Sequence, residues 1–403
     1  MMRRVGVVAL ALLLLLTTAD DLVAQDTTLA QGGIYQRPFI AASNRTAIGG
    51  YVEANTSWSR TEGISEGPSS ELRRFNIFLY SAMGRRLRFT SELEFEHGTE
   101  EIKIETALVD FVVSPSLVFR AGVLLPPIGA FNVNHDGPRY EFVERPLVST
   151  EIIPATLSEA GAGIHGRLAP GGRGGGQGGG LTLSYDAYFT NGLDDRVVLN
   201  ETGRTSLTHG KGESLFAEDQ NGSPAFSGRF AARARGLGEF GLSHYRGIYN
   251  VWKLEGEEVD DARWLSLTAF DVQTDMGPVA LRGEVALATI DVPLDLGEVH
   301  GDRQWGFYLD AVMPVWHPRI RALTDPVVNM ALRVERVDFN VGEFSSTGAR
   351  RFDEVSAVSL GASLRPVPET VFRLNYRLEW HRDLVGNPTE RTAGIQVGVA
   401  TYF

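Results

Sequence analysis

The chain has 403 residues, a formal net charge of −12 and no cysteine. The absence of cysteine excludes disulfides, thiolate zinc sites, a cysteine nucleophile and a lipid-modified N-terminal cysteine. The acidic balance disfavours nucleic acid as a partner. Lysine occurs only at Lys103, Lys211 and Lys253, so arginine carries nearly all of the positive charge.

The N-terminus has the pattern of an export signal. Arg3 and Arg4 precede an apolar run of about 12 residues, which as a helix would rise only roughly 18 Å, too short for a bilayer core of about 30 Å. We therefore predict a cleaved signal peptide over residues 1–24, with cleavage near Ala19 or Ala24. A short periplasmic segment, residues 25–45, would follow it.

Strand-like alternation dominates the remainder of the chain. In "VFRLNYRLEWH", apolar residues such as Phe372 and Leu374 alternate with polar residues such as Arg373 and Arg377. The same pattern recurs in about sixteen segments, most of a length that lets a tilted strand cross a bilayer. They begin near residues 46, 71, 85, 102, 116, 159, 181, 225, 239, 262, 278, 304, 326, 354, 371 and 391.

The connections between these segments alternate in length. Long connections, such as residues 126–158 and 191–224, interleave with short ones such as Gly84 and the Gly-Leu-Gly of residues 236–238. Short periplasmic turns and long external loops are typical of outer-membrane barrels. The sequence thus predicts an all-β fold, a transmembrane antiparallel up-and-down β-barrel of about 16 strands over residues 46–403. The Gly-rich stretch after Leu168 is interpreted as a flexible turn.

The terminal segment "AGIQVGVATYF" is predicted to be a membrane strand, because Ile395, Val397, Val399 and Phe403 share one face. An aromatic residue at the end of such a strand resembles the signal that the barrel assembly machinery recognises. We therefore expect Phe403 to serve as this signal. The localisation expected is the bacterial outer membrane, in contact with lipid and lipopolysaccharide.

Several segments resemble the phosphate-selective porin O and P family. The blocks "FRAGVLLPPIGAFN" and "YEFVERPLVSTEIIPATLSEAGAGIHG" carry the resemblance, and "YDAYFTNGLD" and "FSGRFAARA" follow in the family's order. The resemblance implies a sixteen-stranded porin, a homotrimer that passes small anions such as phosphate through the outer membrane. The scarcity of lysine leaves a preference for phosphate open.

Function in such a barrel depends on the charges that face its lumen. Alternation points a set of arginines inward, and guanidinium groups bind phosphate and carboxylate oxygens well. The predicted anion path consists of Arg86, Arg88, Arg120, Arg229, Arg233, Arg235, Arg282, Arg333, Arg373 and Arg377. Carboxylates alternate with these arginines, so a mixed and weakly selective lumen, in which the charges pair across strands, is an equal alternative.

The loop over residues 126–158 is the candidate constriction, and Arg139, Glu144 and Arg145 are its predicted constriction residues. We expect a channel for small hydrophilic solutes that leans to anions, with no enzymatic activity, cofactor or metal. The histidines show no metal-ligand spacing, and "GAGIHG" lacks the surrounding βαβ unit of a dinucleotide site. The alternatives are a barrel enzyme of the phospholipase or protease type and a closed structural or adhesion barrel.

Overall fold

The structure is a computed structural model that describes residues 45–403, apart from residues 66, 170–179, 213–214, 218, 220 and 324. The predicted signal peptide (1–24) and residues 25–44 of the predicted N-terminal segment lie outside the described residues. So does most of the Gly-rich connection.

A closed antiparallel barrel of sixteen strands forms the fold. Each strand pairs with its neighbours in the sequence, and β1 pairs with β18 to close the sheet. Closure leaves no open sheet edge, the condition for a sheet that spans a membrane. The predicted all-β up-and-down barrel is confirmed.

The strand bounds agree closely with the alternating segments of the sequence. The barrel strands are β1 (Thr46–Thr61), β2 (Pro68–Met83), β3 (Leu87–Glu96), β4 (Glu101–Ser114), β5 (Leu117–Leu124), β6 (Glu159–Leu168), β7 (Leu181–Thr190), β8 (Ala225–Ala234), β9 (Gly238–Ile248), β12 (Trp264–Met276), β13 (Val279–Ile290), β14 (Arg303–Trp316), β15 (Val327–Asp338), β16 (Glu354–Val367), β17 (Thr370–Arg382) and β18 (Glu390–Tyr402). A small hairpin, β10 (Lys253–Leu254) and β11 (Glu257–Glu258), lies in one connection.

The two faces of the wall differ in polarity as alternation predicts. Outward side chains are apolar and exposed, and include Phe230, Leu242, Phe270, Leu287, Phe372, Leu374 and Val397. Inward side chains are mostly polar and buried, and include Asn76, Glu92, Asp271, Glu284, Arg333 and Asn375. An apolar exterior around a polar interior suits a barrel that is embedded in lipid. Within the described residues, no helix is long and apolar enough to cross a membrane.

Most long connections lie at one end of the barrel, here the loop end, and most short connections lie at the other, here the turn end. The exceptions are the longer connections over residues 169–180 and 317–326 at the turn end and the short connection over residues 97–100 at the loop end. Two long connections matter for function: L3, residues 125–158, and L4, residues 191–224. L3 contains the helical turns Gly137–Arg139 and Val148–Ile152, and L4 contains Asp195–Val197. A further turn, His97–Thr99, joins β3 to β4.

L3 and L4 together build an apolar core inside one side of the barrel. Ile128, Ile152 and Leu157 of L3 pack with Val197 and Leu207 of L4. Wall residues on β9 and β12–β15 complete the cluster, among them Tyr245, Leu265, Ala286, Tyr308 and Val337. Full burial of each aliphatic side chain contributes about 1.5–3 kcal/mol, so this core fixes both loops against one half of the wall. The open part of the lumen therefore lies against the other half.

The seam between the first and last strands extends to the final residue. Gly50 and Phe403 exchange two backbone hydrogen bonds, with N···O distances of 3.2 and 3.0 Å. The Phe403 ring stacks on Phe75, with ring centroids 5.7 Å apart and planes 12° from parallel. Phe403 thus takes part in barrel closure.

Candidate functional site

A cavity of about 1030 Å³ occupies the loop end of the lumen. Its walls come from β1–β4, β17 and β18, and its other sides come from L3 and L4. This is the side of the barrel that the apolar core leaves open. A second cavity of about 10 Å³, room for roughly one water molecule, lies deeper in the lumen. Glu144 and Arg145 line both cavities, so these two L3 residues lie between them.

The charges that line the large cavity nearly cancel. Its seven basic residues are Arg73, Arg74, Lys103, Arg145, Arg196, Lys211 and Arg377. Its six carboxylates are Glu94, Glu96, Glu105, Glu144, Glu151 and Glu379. With the histidines neutral and every carboxyl ionised, the cavity carries one excess positive charge. Such a balance supports at most a weak preference for anions.

Wall arginines hold L3 by its backbone. Arg282, Arg333 and Arg373 each donate a hydrogen bond to an L3 carbonyl oxygen, those of Arg139, Glu144 and Phe142, at N···O distances of 2.8, 2.7 and 2.7 Å. Arg365 donates to the carbonyl oxygen of Pro138 at 2.9 Å and to the Glu141 carboxylate at 2.8 Å. These arginines therefore hold L3 against the wall.

The same wall also accepts hydrogen bonds from L3. The Glu284 carboxylate accepts from the Phe131 N–H at 2.5 Å and from the Ser149 hydroxyl at 2.8 Å. Glu335 accepts from the Leu147 N–H, and Asn375 accepts from the Val143 N–H, both at 2.8 Å.

A glycine permits the close approach of L3 to this wall. At Gly129 the backbone φ is 65°, and a Cβ there would lie 2.8 Å from a Glu284 oxygen. A residue with a side chain would be strained at this φ and would also push L3 away from the wall.

L3 also reaches the opposite wall. Nε2 of His135 lies 2.9 Å from a carboxylate oxygen of Glu105 on β4. Arg73 on β2 makes a bidentate pair with Glu144, with N···O distances of 2.6 and 3.0 Å. Gln396 on β18 donates to Glu144 at 3.0 Å. L3 therefore bridges the lumen, as the candidate constriction would.

Six of the ten arginines on the predicted anion path are paired with wall carboxylates. Arg120 pairs with Asp110, Arg333 with Asp310 and Arg373 with Glu53, at N···O distances of 2.8, 2.6 and 2.7 Å. The other three arginines make five pairs: Arg229 with Asp271 and Glu239, Arg233 with Glu239, and Arg377 with Glu335 and Glu379. These contacts have the geometry of the alternative in which charges pair across the wall.

The remaining four arginines occupy different positions. Arg86 lies in the turn between β2 and β3, and Arg235 lies just beyond the end of β8 and is exposed, so neither is on a strand face. Arg88 lies at the turn end of β3, opposite Asp110 in the strand register. Arg282 projects into the lumen and contacts L3. The path therefore does not form a continuous ladder of free guanidinium groups.

The three constriction residues differ in their contacts. Arg139 donates to the Tyr402 hydroxyl at 2.9 Å and lies 3.6 Å from Asp136. Glu144 is held by Arg73, and this pairing holds the pKa of Glu144 below its usual range despite burial. Arg145 has no carboxylate within salt-bridge distance among the described residues, and its Nη2 is buried without a hydrogen-bond partner there. Of the three constriction residues, Arg145 is thus the one that makes no ion pair with a described residue.

Lys211 of L4 is another cation that lines the large cavity, and its pKa is altered. Burial, together with repulsion from Lys103 and Arg145, lowers the pKa of Lys211 to about 8. The side chain therefore loses its charge within a range that is accessible to experiment.

Sequence reasoning missed several residues that organise the site. Arg73, Arg74 and Arg365 hold L3 or the carboxylates beside it. The structure places Arg365 within β16. Strand register could have identified some of the pairs, because Asp110 lies directly opposite Arg120, and Asp310 opposite Arg333. No sequence signal marks Glu105 as a contact of His135.

Comparison with solved structures identifies the type of barrel. OprB of Pseudomonas putida superposes with a TM-score of 0.54 at 8% identity, over 89% of this chain and 94% of that one. An anion-selective porin from Comamonas acidovorans gives a TM-score of 0.52 at 13% identity, over 89% and 99%. The outer membrane channel DcaP of Acinetobacter baumannii gives 0.51 at 10% identity, over 89% and 97%. The barrel has the porin fold.

Comparison by sequence does not show the family of this chain. A protein of Aquifex aeolicus (strain VF5), described as uncharacterized, is 26% identical over 373 residues, which cover 86% of this chain and 78% of that protein. No protein-family model matches the sequence. Membership in the phosphate-selective porin O and P family therefore stays a hypothesis.

Proposed function

We propose that the protein is an outer-membrane porin, a channel for passive diffusion of small hydrophilic solutes with a weak preference for small anions. The observation that carries this proposal is the position of Arg145. It lines the large cavity and the small cavity beneath it, and no described carboxylate lies within salt-bridge distance of it. A solute that leaves the large cavity through L3 meets this guanidinium.

Arg145 suits a transient contact with an anion. Its guanidinium stays protonated and offers planar N–H donors that match carboxylate and phosphate oxygens. Arg333 and Arg373 are closed to this role, because both side chains are buried and already donate to carboxylates and L3 carbonyls. The preference for anions is therefore assigned to the constriction and not to the whole wall.

Planar-bilayer recording tests the assignment. In a salt gradient the wild-type channel is expected to show a reversal potential of the anion-selective sign. Arg145→Gln removes the one excess positive charge and should bring this potential close to zero. Arg233→Gln is the matched control at the turn end, where Glu239 already neutralises the arginine. Equal shifts in both variants, or a cation-selective wild type, would refute the role of Arg145.

A preference for phosphate among anions is the finer part of the proposal. Its support is the resemblance to the phosphate-selective porin O and P family and the fork geometry of arginine. Addition of phosphate to a chloride-filled channel should lower the chloride current in wild type and not in Arg145→Gln. No decrease at millimolar phosphate would leave a general porin without a phosphate site.

The location and the assembly also belong to the proposal. The apolar exterior favours insertion in the outer membrane. The resemblance to the phosphate-selective porin O and P family supports a homotrimer, and Phe403 would be the residue that the barrel assembly machinery recognises. Chemical cross-linking in native membranes should then give a trimeric band. Phe403→Ala should reduce the amount of inserted barrel, and normal insertion would remove the proposed signal role.

A closed barrel without a channel is the second candidate, because L3 contacts both walls of the lumen. The absence of any conductance step from folded, inserted protein would favour it.

The enzyme alternative finds little support. Ser206 lies 2.8 Å from His209, but the two are three residues apart in one loop, and no described carboxylate makes a hydrogen bond to His209. We therefore propose no enzymatic activity.

A further inference from the structure

We propose that Glu92, Glu105 and His135 form a binding site for a divalent transition-metal ion of the zinc type, which fastens L3 to β3 and β4. One imidazole nitrogen and two carboxylate oxygens lie within 4.8 Å of one another, and all three residues are buried. Two histidine or carboxylate ligands of one zinc ion lie roughly 3–4 Å apart, given bond lengths of about 2.0–2.2 Å. Small side-chain rotations would complete the set. The metal site would exist whether or not the barrel conducts solutes.

A β-bulge places Glu105 in the site. The register of β3 with β4 shifts between Glu92 and Leu93, which pair with Thr106 and Ile104, so that Glu105 has no partner of its own. Glu105 and Thr106 are consecutive residues, yet both are buried toward the lumen. Without the bulge, strict alternation would turn one of them to lipid. Bulges commonly re-aim a side chain at a functional site.

The imidazole of His135 is oriented as a ligand. Nδ1 of His135 lies 2.9 Å from the carbonyl oxygen of Asn132, to which it can donate. The neutral ring then presents a lone pair at Nε2, and Nε2 faces Glu105. A lone pair against a carboxylate is repulsive unless a proton or a cation lies between them. Metal-bound histidines usually donate their other N–H to a carbonyl or a carboxylate in this way.

The carboxylates are supported in the same manner. Asn76 donates to a Glu92 oxygen at 2.7 Å, which fixes that carboxylate in the buried site. One carboxylate oxygen of Glu105 lies against Nε2 of His135, and the residue is almost fully buried. Buried carboxylates usually have hydrogen-bond partners or coordinate a metal. A buried carboxylate that faces an imidazole lone pair fits a cation between the two groups.

The donor set favours zinc over calcium or magnesium. Imidazole suits zinc and its neighbours in the first transition row, whereas calcium and magnesium prefer oxygen ligands alone. Three protein ligands leave a fourth position for water. The nearby hydroxyls of Tyr51 and Thr106 are also buried, and neither makes a hydrogen bond with a described residue. The ion would close the contact between L3 and the wall where His135 meets Glu92 and Glu105.

Metal binding by the full mature chain, folded in detergent after chelation, tests the inference. Zn²⁺ titrated in a calorimeter should bind at one ion per chain, and Co²⁺ should give the visible absorption bands of a tetrahedral nitrogen and oxygen site. His135→Asn and Glu105→Gln should each weaken binding by more than about 100-fold, since changes in the outer shell alone cost 10–100-fold. Both substitutions are close in size to the native residue, and the shift in gel mobility on boiling checks that each variant is folded.

His165→Asn is the matched control, because His165 also faces the lumen beside a carboxylate, Asp110, at 3.7 Å. It should leave the affinity unchanged. A folded wild-type chain that binds less than one tenth of an ion would overturn the inference. So would the same affinity in His135→Asn as in wild type.

Discussion

The two sides of the lumen hold L3 by different means. On the side of β13–β17, hydrogen bonds hold the loop to the wall, such as Arg333 to the Glu144 carbonyl and the Phe131 N–H to Glu284, and apolar packing adds to them. On the side of β3 and β4, L3 meets buried carboxylates through His135, and several polar atoms lack partners there.

This difference shows why a lumen rich in arginine need not select strongly for anions. Arginines that neutralise wall carboxylates and fasten a loop have no donors left for a solute. A preference can then come only from the few cations outside that network. Arg145 is such a cation, and it lies on the side where the loop is less fully bonded.

The largest expected effect comes from the satisfied side. Arg333→Met would leave the buried Asp310 carboxylate without its partner and should lower the free energy of unfolding by about 3–5 kcal/mol. Urea titration of the folded barrel in lipid vesicles measures this loss. Arg145→Met, on the other side, should cost less than about 1 kcal/mol, because no carboxylate depends on it at close range. Equal losses would erase the contrast between the two sides.

A smaller effect is expected when a single acceptor of L3 is removed. Glu284→Ala leaves the Phe131 N–H and the Ser149 hydroxyl without their partner, at a cost of about 1–3 kcal/mol for each buried group. The loop should become mobile, and the open-channel current should become noisier and larger. Glu298→Ala, in the exposed connection between β13 and β14, should leave the current unchanged. A quiet current in Glu284→Ala would mean that this wall does not hold the loop.

The smallest effect concerns the charge of the cavity. Because the pKa of Lys211 is lowered to about 8, this lysine is charged below that pH and neutral above it. The cavity should lose one positive charge as the pH rises from 7 to 9, so the preference for anions should decrease over that range. Lys211→Met should remove the pH dependence, whereas Lys253→Met, in the hairpin of β10 and β11, should keep it. A wild-type reversal potential that is constant from pH 7 to 9 would refute the assignment.

Alternation in the sequence was sufficient to predict the barrel. The period of two, which sets Phe372 and Leu374 against Arg373 and Arg377, depends only on the pleat of each strand and the polarity of its two environments. The starts of all sixteen strands followed from it. The position of L3 between β5 and β6 followed from the length of that connection.

The contacts within the lumen could not be predicted in the same way. Alternation shows that Arg373 faces inward, but it does not show that Glu53, 320 residues away in the sequence, receives one of its hydrogen bonds. The bulge at Glu105 breaks the alternation locally, so the sequence alone does not place that carboxylate beside His135. Pairs across the wall depend on register, and contacts of L3 depend on its folded path.

The central claim is that the polar face of the wall encloses water while the apolar face meets lipid. Gln396 and Val397 are neighbours on β18, and the structure places Gln396 in the large cavity and Val397 on the exterior. The chain has no cysteine, so a single introduced thiol can be followed without background. In vesicles, a charged, membrane-impermeant thiol reagent should label Gln396→Cys and reduce its conductance, and it should leave Val397→Cys unlabelled. Equal labelling of the two thiols, or labelling of Val397→Cys alone, would contradict the account.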